Sequence, residues 1–381
     1  MRAIVIGAGA VGLACAFELT ERGLDVEVVD PDPAGGATHF AGGMLAPVAE
    51  VQYRQEPLYP MMLEAAELYP SFIERLSGAT DLPTGYDTAG TLVVAADRAD
   101  ARHLAELAEH QGRFARAPKR LTVREARRLE PGLSPGLAGA VSIEGDHQVF
   151  PRALAEALLD ALKNRGARLV RESVTRLRTA SGPGSPVTAV ETTAGEIDAD
   201  GAVVVLANGL GAHQVGGWFE GPSPLKLRPV FGDILIAESP AGEPPLVKRV
   251  IRGFVNDRPI YLIPRGRRLA IGATSREDER DRPPLGAIYG LLRDAVRVCP
   301  GIEELGLVEA GTGARPGTPD DLPYLGKVAE NLVISTGYFR HGILLASLGA
   351  AVAAALATGE SGGRLAEVAA PADPLRHAGR G

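Results

Sequence analysis

The chain opens on Ala3-Ile4-Val5-Ile6 and runs without a break into Gly7-Ala8-Gly9-Ala10-Val11-Gly12. A short continuous apolar run of this kind fits a parallel strand buried on both faces. Leu13, Ala16, Phe17 and Leu19 then recur at helical spacing as far as Arg22, and Gly23 supplies a C-cap. A second strand, Val26 to Val29, ends in Asp30 and Pro31. Strand, tight turn, helix, strand and acid in this order leave few folds open. Gly7 makes the turn, Gly9 lets backbone approach a pyrophosphate, and Gly12 lets the helix pack on the strand. The helix N-terminus, at Ala10 and Val11, turns free N–H groups and a positive dipole end toward phosphate. Asp30 offers its carboxylate to a ribose 2′-OH. The element alone does not separate NAD from FAD.

Three later segments do. Gly35-Gly36-Ala37-Thr38-His39-Phe40-Ala41-Gly42-Gly43-Met44-Leu45-Ala46-Pro47 stands where a bare NAD domain would enter another crossover helix. Its four glycines allow close backbone approach to something flat or anionic. Ala202-Val203-Val204-Val205-Leu206-Ala207-Asn208-Gly209 reads as a further buried parallel strand ending in a glycine turn. Asn331 to Thr336 reads as a strand running into Gly337-Tyr338-Phe339-Arg340-His341-Gly342, with a long apolar helix expected from Ile343 through Leu344 to about Leu356. That helix N-terminus makes a second anion site, suited to the flavin edge where negative charge develops on reduction.

With 381 residues the chain exceeds the size at which one core stops growing, so two domains are expected. A formal net charge of −7 argues against a nucleic-acid partner. Two cysteines, Cys15 and Cys299, do not make a secreted disulfide framework. No apolar run is long enough to span a bilayer and no leader pattern precedes the first strand, so a cytoplasmic protein with no membrane partner is expected. No His, Cys, Asp and Glu cluster has metal-ligand spacing.

Taken together, these segments resemble the D-amino-acid oxidase family of FAD-dependent oxidoreductases, and within it the glycine-oxidising branch. The specific pieces are Gly42-Gly43-Met44-Leu45-Ala46-Pro47, Tyr261-Leu262-Ile263-Pro264-Arg265, Gly313-Ala314-Arg315-Pro316-Gly317-Thr318-Pro319-Asp320, and Arg340-x-Gly342-Ile343-Leu344-Leu345-Ala346. The resemblance implies that Val11, Asp30 and Thr38, with Pro31 and Ala37 beside them, line the FAD diphosphate and ribose. It puts Gly42, Gly43 and Met44 along the isoalloxazine and the Val174 backbone at the adenine. It makes Arg315 the grip on the substrate carboxylate, Tyr261 its hydrogen-bonding partner, and Arg340 a second arginine at the flavin–substrate junction. Arg315, before a proline and after glycine-rich backbone, reads as a loop residue. The chain departs from the family's usual residues at His39, Phe40, Tyr338, His341 and Ser347, and at Pro259 and Ser275 from the substrate-loop residues of the family's best-known member. Neither histidine is taken as a general base, because hydride transfer to flavin N5 needs a neutral amine and an aimed Cα–H rather than a dedicated base.

The implied reaction is FAD-dependent oxidative deamination of a small amino acid. Glycine comes first, with sarcosine and small D-amino acids as further candidates. Oxygen is the acceptor, the products are the imine or 2-oxo acid, ammonia and hydrogen peroxide, and the imine feeds thiazole formation for thiamine. FAD is expected to be non-covalent. Relatives that tether it use a cysteine five residues before a Thr-Pro-Asp, and here that residue is Gly313. Two alternatives stay open: a dehydrogenase with another acceptor, and a silent FAD-binding subunit of a complex. A homo-oligomer is compatible with either. The expected fold is α/β (α+β), a Rossmann-like FAD-binding domain (1–47, 141–215, 311–365) interleaved with an antiparallel-sheet substrate domain (48–140, 216–310), and a loose tail, 366–381.

Overall fold

The computed structural model describes residues 1–114, 118–360 and 362–378. Its first sheet has six strands in the order Tyr324–Ala329, Leu332–Thr336, Ala202–Leu206, Arg2–Ile6, Asp25–Val29, Arg168–Val170. All neighbours are parallel except the first pair. Alternate residues of Arg2–Ile6 feed two cores, as a strand period of two requires. Ala3 and Val5 pack under the helices Ala10–Glu21, Pro151–Asn164 and Ala346–Ala357. Ile4 and Ile6 pack on the other side against Leu177, Val187 and Val190 of a three-stranded antiparallel sheet.

The second sheet has eight strands in the order Gly306–Gly317, Arg228–Glu238, Arg268–Gly272, Arg258–Arg265, Val250–Val255, Thr91–Ala95, Gly139–Ile143, Lys119–Leu121. It is mixed rather than purely antiparallel, since Thr91–Ala95 pairs in parallel with Val250–Val255. One face packs on the amphipathic helix Leu285–Val298 through Leu235, Leu262 and Ile271. The other carries Ile234, Ile236, Ile263 and Ala270 and meets Phe40 and Met44 of the glycine-rich segment. That segment therefore lies between the two sheets, with Met44–Leu45 paired to His147–Val149.

Four expectations need correction. The helix expected from Ile343 spans Ala346–Ala357, and residues before it form a single turn closed by Leu345 N donating to His341 O at 2.8 Å. Arg315 lies in the strand Gly306–Gly317 rather than a loop. This strand is the sheet's edge, where a proline such as Pro316 costs little ladder bonding. The divisions expected at 141 and 311 fall inside Gly139–Ile143 and Gly306–Gly317, both strands of the eight-stranded sheet. We propose that the division into two domains follows sheet membership instead. The tail is also pinned. Gly363–Ala369 is a helix, Ala372 is buried, and Arg376 donates to both carboxylate oxygens of Asp320 at 2.8 Å. Residues 379–381 lie outside the described ones.

Gly7 shows why the opening turn is glycine. Its φ is +106°, and a Cβ there would stand 2.6 Å from the Ala207 carbonyl oxygen and the Asn208 backbone nitrogen. Gly7→Ala should lower stability by at least about 1–3 kcal/mol. Denaturant midpoints of the two proteins measure it, and an unshifted midpoint would contradict the turn geometry.

Candidate functional site

A cavity of about 600 Å³ opens where the carboxyl ends of the parallel strands face the inner side of the eight-stranded sheet. Such a crevice is where open α/β sheets bind ligands. Gly9, Ala10, Val11, Asp30, Ala37 and Thr38 line one end of it. Gly42, Gly43 and Met44 line the middle, with the turn from Gly337 to Leu344, which includes Tyr338, Phe339, Arg340, His341, Gly342 and Ile343. Tyr261 and Arg315 line the far end. Gly7, Gly12, Pro31 and Val174 are not on this wall. Gly7 and Gly12 press helix against strand behind it, and Val174 sits half-buried on the three-stranded sheet.

The nucleotide end is built from short backbone contacts. Asp30 is partly committed to its own turn. Its Oδ2 accepts from Ala8 N at 2.7 Å and its Oδ1 from Asp32 N at 2.8 Å. A carboxylate has about four acceptor positions, so two remain for a ribose. Thr38 is buried, and its Oγ1 accepts from Ala10 N at 3.0 Å, taking one amide of the helix N-terminus. A Cβ on Gly9 would come within 3.3 Å of that oxygen. Asn208 Oδ1 is buried on the cavity wall with no partner among the described residues. A buried acceptor of this kind calls for a donor from a bound group. Glycine at Gly9, the open helix end, the unspent carboxylate and the orphaned amide oxygen fit FAD, which the Gly9–Val11 turn, Asp30, the Ala37–Met44 segment and the Gly337–Leu344 turn would hold.

Arg265 fixes the middle segment. Its guanidinium stacks on Phe150, 4.3 Å from the ring centroid, and donates to Gly42 O at 2.8 Å and Ala41 O at 3.3 Å. Gly42 then lies so close to the sheet that a Cβ would be 3.1 Å from the Tyr261 hydroxyl. Arg152 fastens the segment's start, donating to His39 O at 3.0 Å and to both oxygens of Glu309 at 2.9 and 2.8 Å. Phe40 lies against the glycines of the edge strand, and a Cβ on Gly313 would stand 2.8 Å from its Cβ.

At the far end two glycines clear the sheet surface. Arg252, Tyr261 and Gly272 stand in one cross-strand row. The Tyr261 ring leans over Gly272, and the Arg315 guanidinium lies over Gly232, so a Cβ at either glycine would collide with them. Among the described residues Arg315 makes one side-chain hydrogen bond, to Thr274 O at 3.4 Å. Burial holds its guanidinium below the usual range, and most of its donors remain free for an anion. Beside it, buried Asp233 accepts from Arg276 at 2.8 and 2.9 Å, from Thr274 Oγ1 at 2.5 Å and from Thr312 Oγ1 at 2.6 Å. Thr274 and Thr312 both line the cavity. Burial raises the Tyr261 hydroxyl, opposed by Arg315, Arg265, Arg252 and Arg340.

Arg340 does not stand free. It donates to Glu50 Oε2 at 3.0 Å, and Glu50 Oε1 meets Arg252. All three line the cavity. The turn carrying Glu50 is tied down by the buried Asp146 carboxylate, which accepts from Val48 N at 3.1 Å and Ala49 N at 2.6 Å. His341 is buried beside these cations, and desolvation pushes it down to about 3, so it is neutral at working pH. Tyr338 Oη shares a hydrogen bond of 2.9 Å with Ser335 Oγ, and Ser347 Oγ donates to Ala65 O at 2.9 Å. Tyr338 and Ser347 are thus held by buried hydrogen bonds, while Tyr338 and His341 also line the cavity. Sequence reasoning missed Glu50, Arg252, Asp233 and Asn208. The available signal was a charge inside an apolar stretch: Arg252 in Val250-Ile251-Arg252-Gly253, and Glu50 after Val48-Ala49.

The profile of the DAO family, described as FAD dependent oxidoreductase, matches residues 2–356. The chain is 35% identical over 356 residues to the bifunctional protein ThiO/ThiG of Synechocystis sp. (strain ATCC 27184 / PCC 6803 / Kazusa), covering 92% of this chain and 50% of that protein. It is 33% identical over 351 residues to the glycine oxidase of Geobacillus kaustophilus (strain HTA426), covering 90% and 89%. The crystal structure of glycine oxidase from Geobacillus kaustophilus superposes with a TM-score of 0.86 at 32% identity, covering 99% of each chain. The chain spans about half the length of the first three curated relatives it matches.

Two predictions follow from this geometry. Cys15 is buried behind the cavity against Ser335, and burial pushes its thiol up to about 12. Cys299 is buried at the end of the helix Leu285–Val298, with burial again raising it to about 12. Neither lines the cavity, whereas Gly313 does. Acid precipitation should release all the yellow colour into the supernatant; colour in the pellet would contradict a non-covalent cofactor. The second concerns Asp146, which burial raises from 3.8 to about 7. The folded state holds this proton more tightly than the unfolded one, so its contribution to stability is present below about pH 4 and is lost as pH rises to about 7. Melting temperatures between pH 4.5 and 7.5 should fall less steeply in Asp146→Asn than in the parent, and parallel slopes would refute this.

Proposed function

This chain belongs to the DAO family of FAD-dependent oxidoreductases, and on that premise we propose that it oxidises the C–N bond of a small amino acid, glycine first. Water, oxygen and the amino acid give the 2-oxo acid, ammonia and hydrogen peroxide. The observation that carries the reading is Arg315, a buried guanidinium on the cavity wall with most of its donors uncommitted and Tyr261 in the same cluster. Arginine presents a planar fork that matches a carboxylate bidentately.

The residues divide the task. Arg315 holds the carboxylate and Tyr261 adds a hydroxyl donor, which fixes Cα relative to the Gly42–Met44 segment. FAD, when bound, supplies the two-electron acceptor and passes the electrons to oxygen. The Gly337–Leu344 turn lines the same space, and apolar Met44, Ile343 and Leu344 help keep water out. Neutral His341 adds no charge there. The amine loses its proton to solvent before reaction, so no dedicated base is required. A role supplying the imine for thiazole formation, and a cytoplasmic location, belong to this reading. It is supported by the ThiO half of the bifunctional relatives and, among the described residues, by the absence of a helix long and apolar enough to cross a membrane.

Glycine should bleach the yellow protein without air, and with air one peroxide should form per glycine consumed. Arg315→Ala should raise KM for glycine by an amount worth about 2–5 kcal/mol, as for other truncated buried charge pairs. An unchanged KM, or no bleaching by any small amino acid, would remove the carboxylate grip from the account.

A further inference from the structure

Glu50 is a carboxylate on the wall of a cavity that Arg252, Arg315 and Arg340 also line. Its side chain is 7% exposed, and it bridges Arg252, 11% exposed, and Arg340, 30% exposed. The three line the same cavity as Arg315 and Tyr261. Arg252 is the cross-strand partner of Tyr261, so both leave the sheet on the cavity face. Two arginine forks with one carboxylate between them have the composition of an anion site that is already filled.

The filling carboxylate is not free to leave. Asp146 accepts from Val48 N and Ala49 N, and Glu50 N donates to Ala46 O at 3.1 Å. Arg252 also lies 3.9 Å from Met44 Sδ, on the segment that flanks the cavity's middle. A substrate whose side chain carried a second carboxylate would bring it toward two cations already answered by Glu50 and, at Arg340, by the nearby charge of Asp321, against a fixed and largely buried negative charge. Like charges there repel far more strongly than in water.

We propose that Glu50 is a built-in anion occupying the place of a second substrate carboxylate between Arg252 and Arg340, and that it restricts the site to amino acids bearing a single carboxylate. This rests on the amine-oxidising reading and makes Glu50 a specificity-determining residue rather than a catalytic one. Glu50→Gln keeps the shape and removes the charge, leaving Arg252 facing the cavity without its counter-ion and Arg340 with only the nearby charge of Asp321. That pair then becomes a subsite for the far carboxylate of an amino dicarboxylate.

The test uses the FAD-loaded parent and Glu50→Gln, with kcat/KM measured for glycine, N-carboxymethylglycine and D-aspartate. Binding of malonate and of acetate is followed in parallel through the flavin absorbance. The parent should favour glycine over both dicarboxylates at least tenfold. In Glu50→Gln the dicarboxylate-to-glycine ratio of kcat/KM, and the malonate-to-acetate ratio of affinities, should each rise at least tenfold. Ratios that stay at the parent's value in a variant with an intact flavin spectrum would overturn the proposal, as would a parent that oxidises dicarboxylates as well as glycine. If neither protein oxidises any amino acid, the amine-oxidising reading fails on its own, and the malonate-to-acetate ratio still decides the role of Glu50. Should Glu50→Gln not fold, Glu50→Asp withdraws the charge by one methylene. A threefold rise in the same ratios supports the proposal and no rise refutes it.

Discussion

Arg252, Arg315 and Arg340 share a largely apolar cavity with Tyr261, and together with Arg265 their charges act on its hydroxyl. Burying a cation without a partner is expensive, so each of these side chains needs an answer for its charge. Arg265 turns inward and spends its donors on the carbonyls of Ala41 and Gly42, with its face on Phe150. Arg252 and Arg340 share Glu50. Among the described residues, Arg315 makes a single hydrogen bond, to Thr274 O, and keeps an open fork. Burial holds Arg252 at about 9 and Arg265 at about 10, and lowers Arg315 and Arg340 as well. The surrounding structure is arranged to tolerate this charge, and the remaining imbalance is what gives an anionic ligand its place.

Small residues provide the room. Gly232 and Gly272 lie under Arg315 and Tyr261, Gly42 lies against the Tyr261 hydroxyl, and Gly311 and Gly313 receive Phe40. In each case a missing Cβ lets a large polar or aromatic group lie flat on a sheet. Asp233 and Asp146 work one step further back. Asp233 gathers Thr274, Thr312 and Arg276 around the strand end that carries Arg315. Asp146 ties down the turn that carries Glu50. Both carboxylates are fully buried, so their loss would be felt as misplacement of an arginine rather than as loss of a contact to ligand.

The opening βαβ element was legible because local chemistry decides it: the apolar run, the spacing of Gly7, Gly9 and Gly12, and the acid at the second strand's end are all contained in one short stretch. The helices Leu58–Ser77, Arg98–Gln111, Val123–Leu129 and Pro151–Asn164 rest on local chemistry in the same way, as in the Thr122–Glu125 capping box. Arg315 was misread as a loop residue because an edge strand tolerates Gly and Pro that a central strand does not. The helix after Gly342 was expected three residues early, because apolar residues at Ile343 to Leu345 suit a tight turn as well as a helix. The tail seemed loose because its anchor, the Arg376–Asp320 pair, joins residues far apart in the chain.

The sequence by itself determined the nucleotide-binding turn, the identity of the glycine-rich segment, and the arginine and tyrosine whose neighbours form recognisable strings. These depend on residues close together along the chain. Only the tertiary structure decided that Glu50 sits between Arg252 and Arg340, that Asp146 fixes the turn beneath it, and that Arg315 keeps most of its donors free among the described residues. Those facts depend on strand order and register, which bring residues 50, 252, 315 and 340 to one cavity and residue 146 to the turn that carries Glu50. A buried charge is neutralised by whatever lies within a few ångströms, and sequence separation carries no record of that distance.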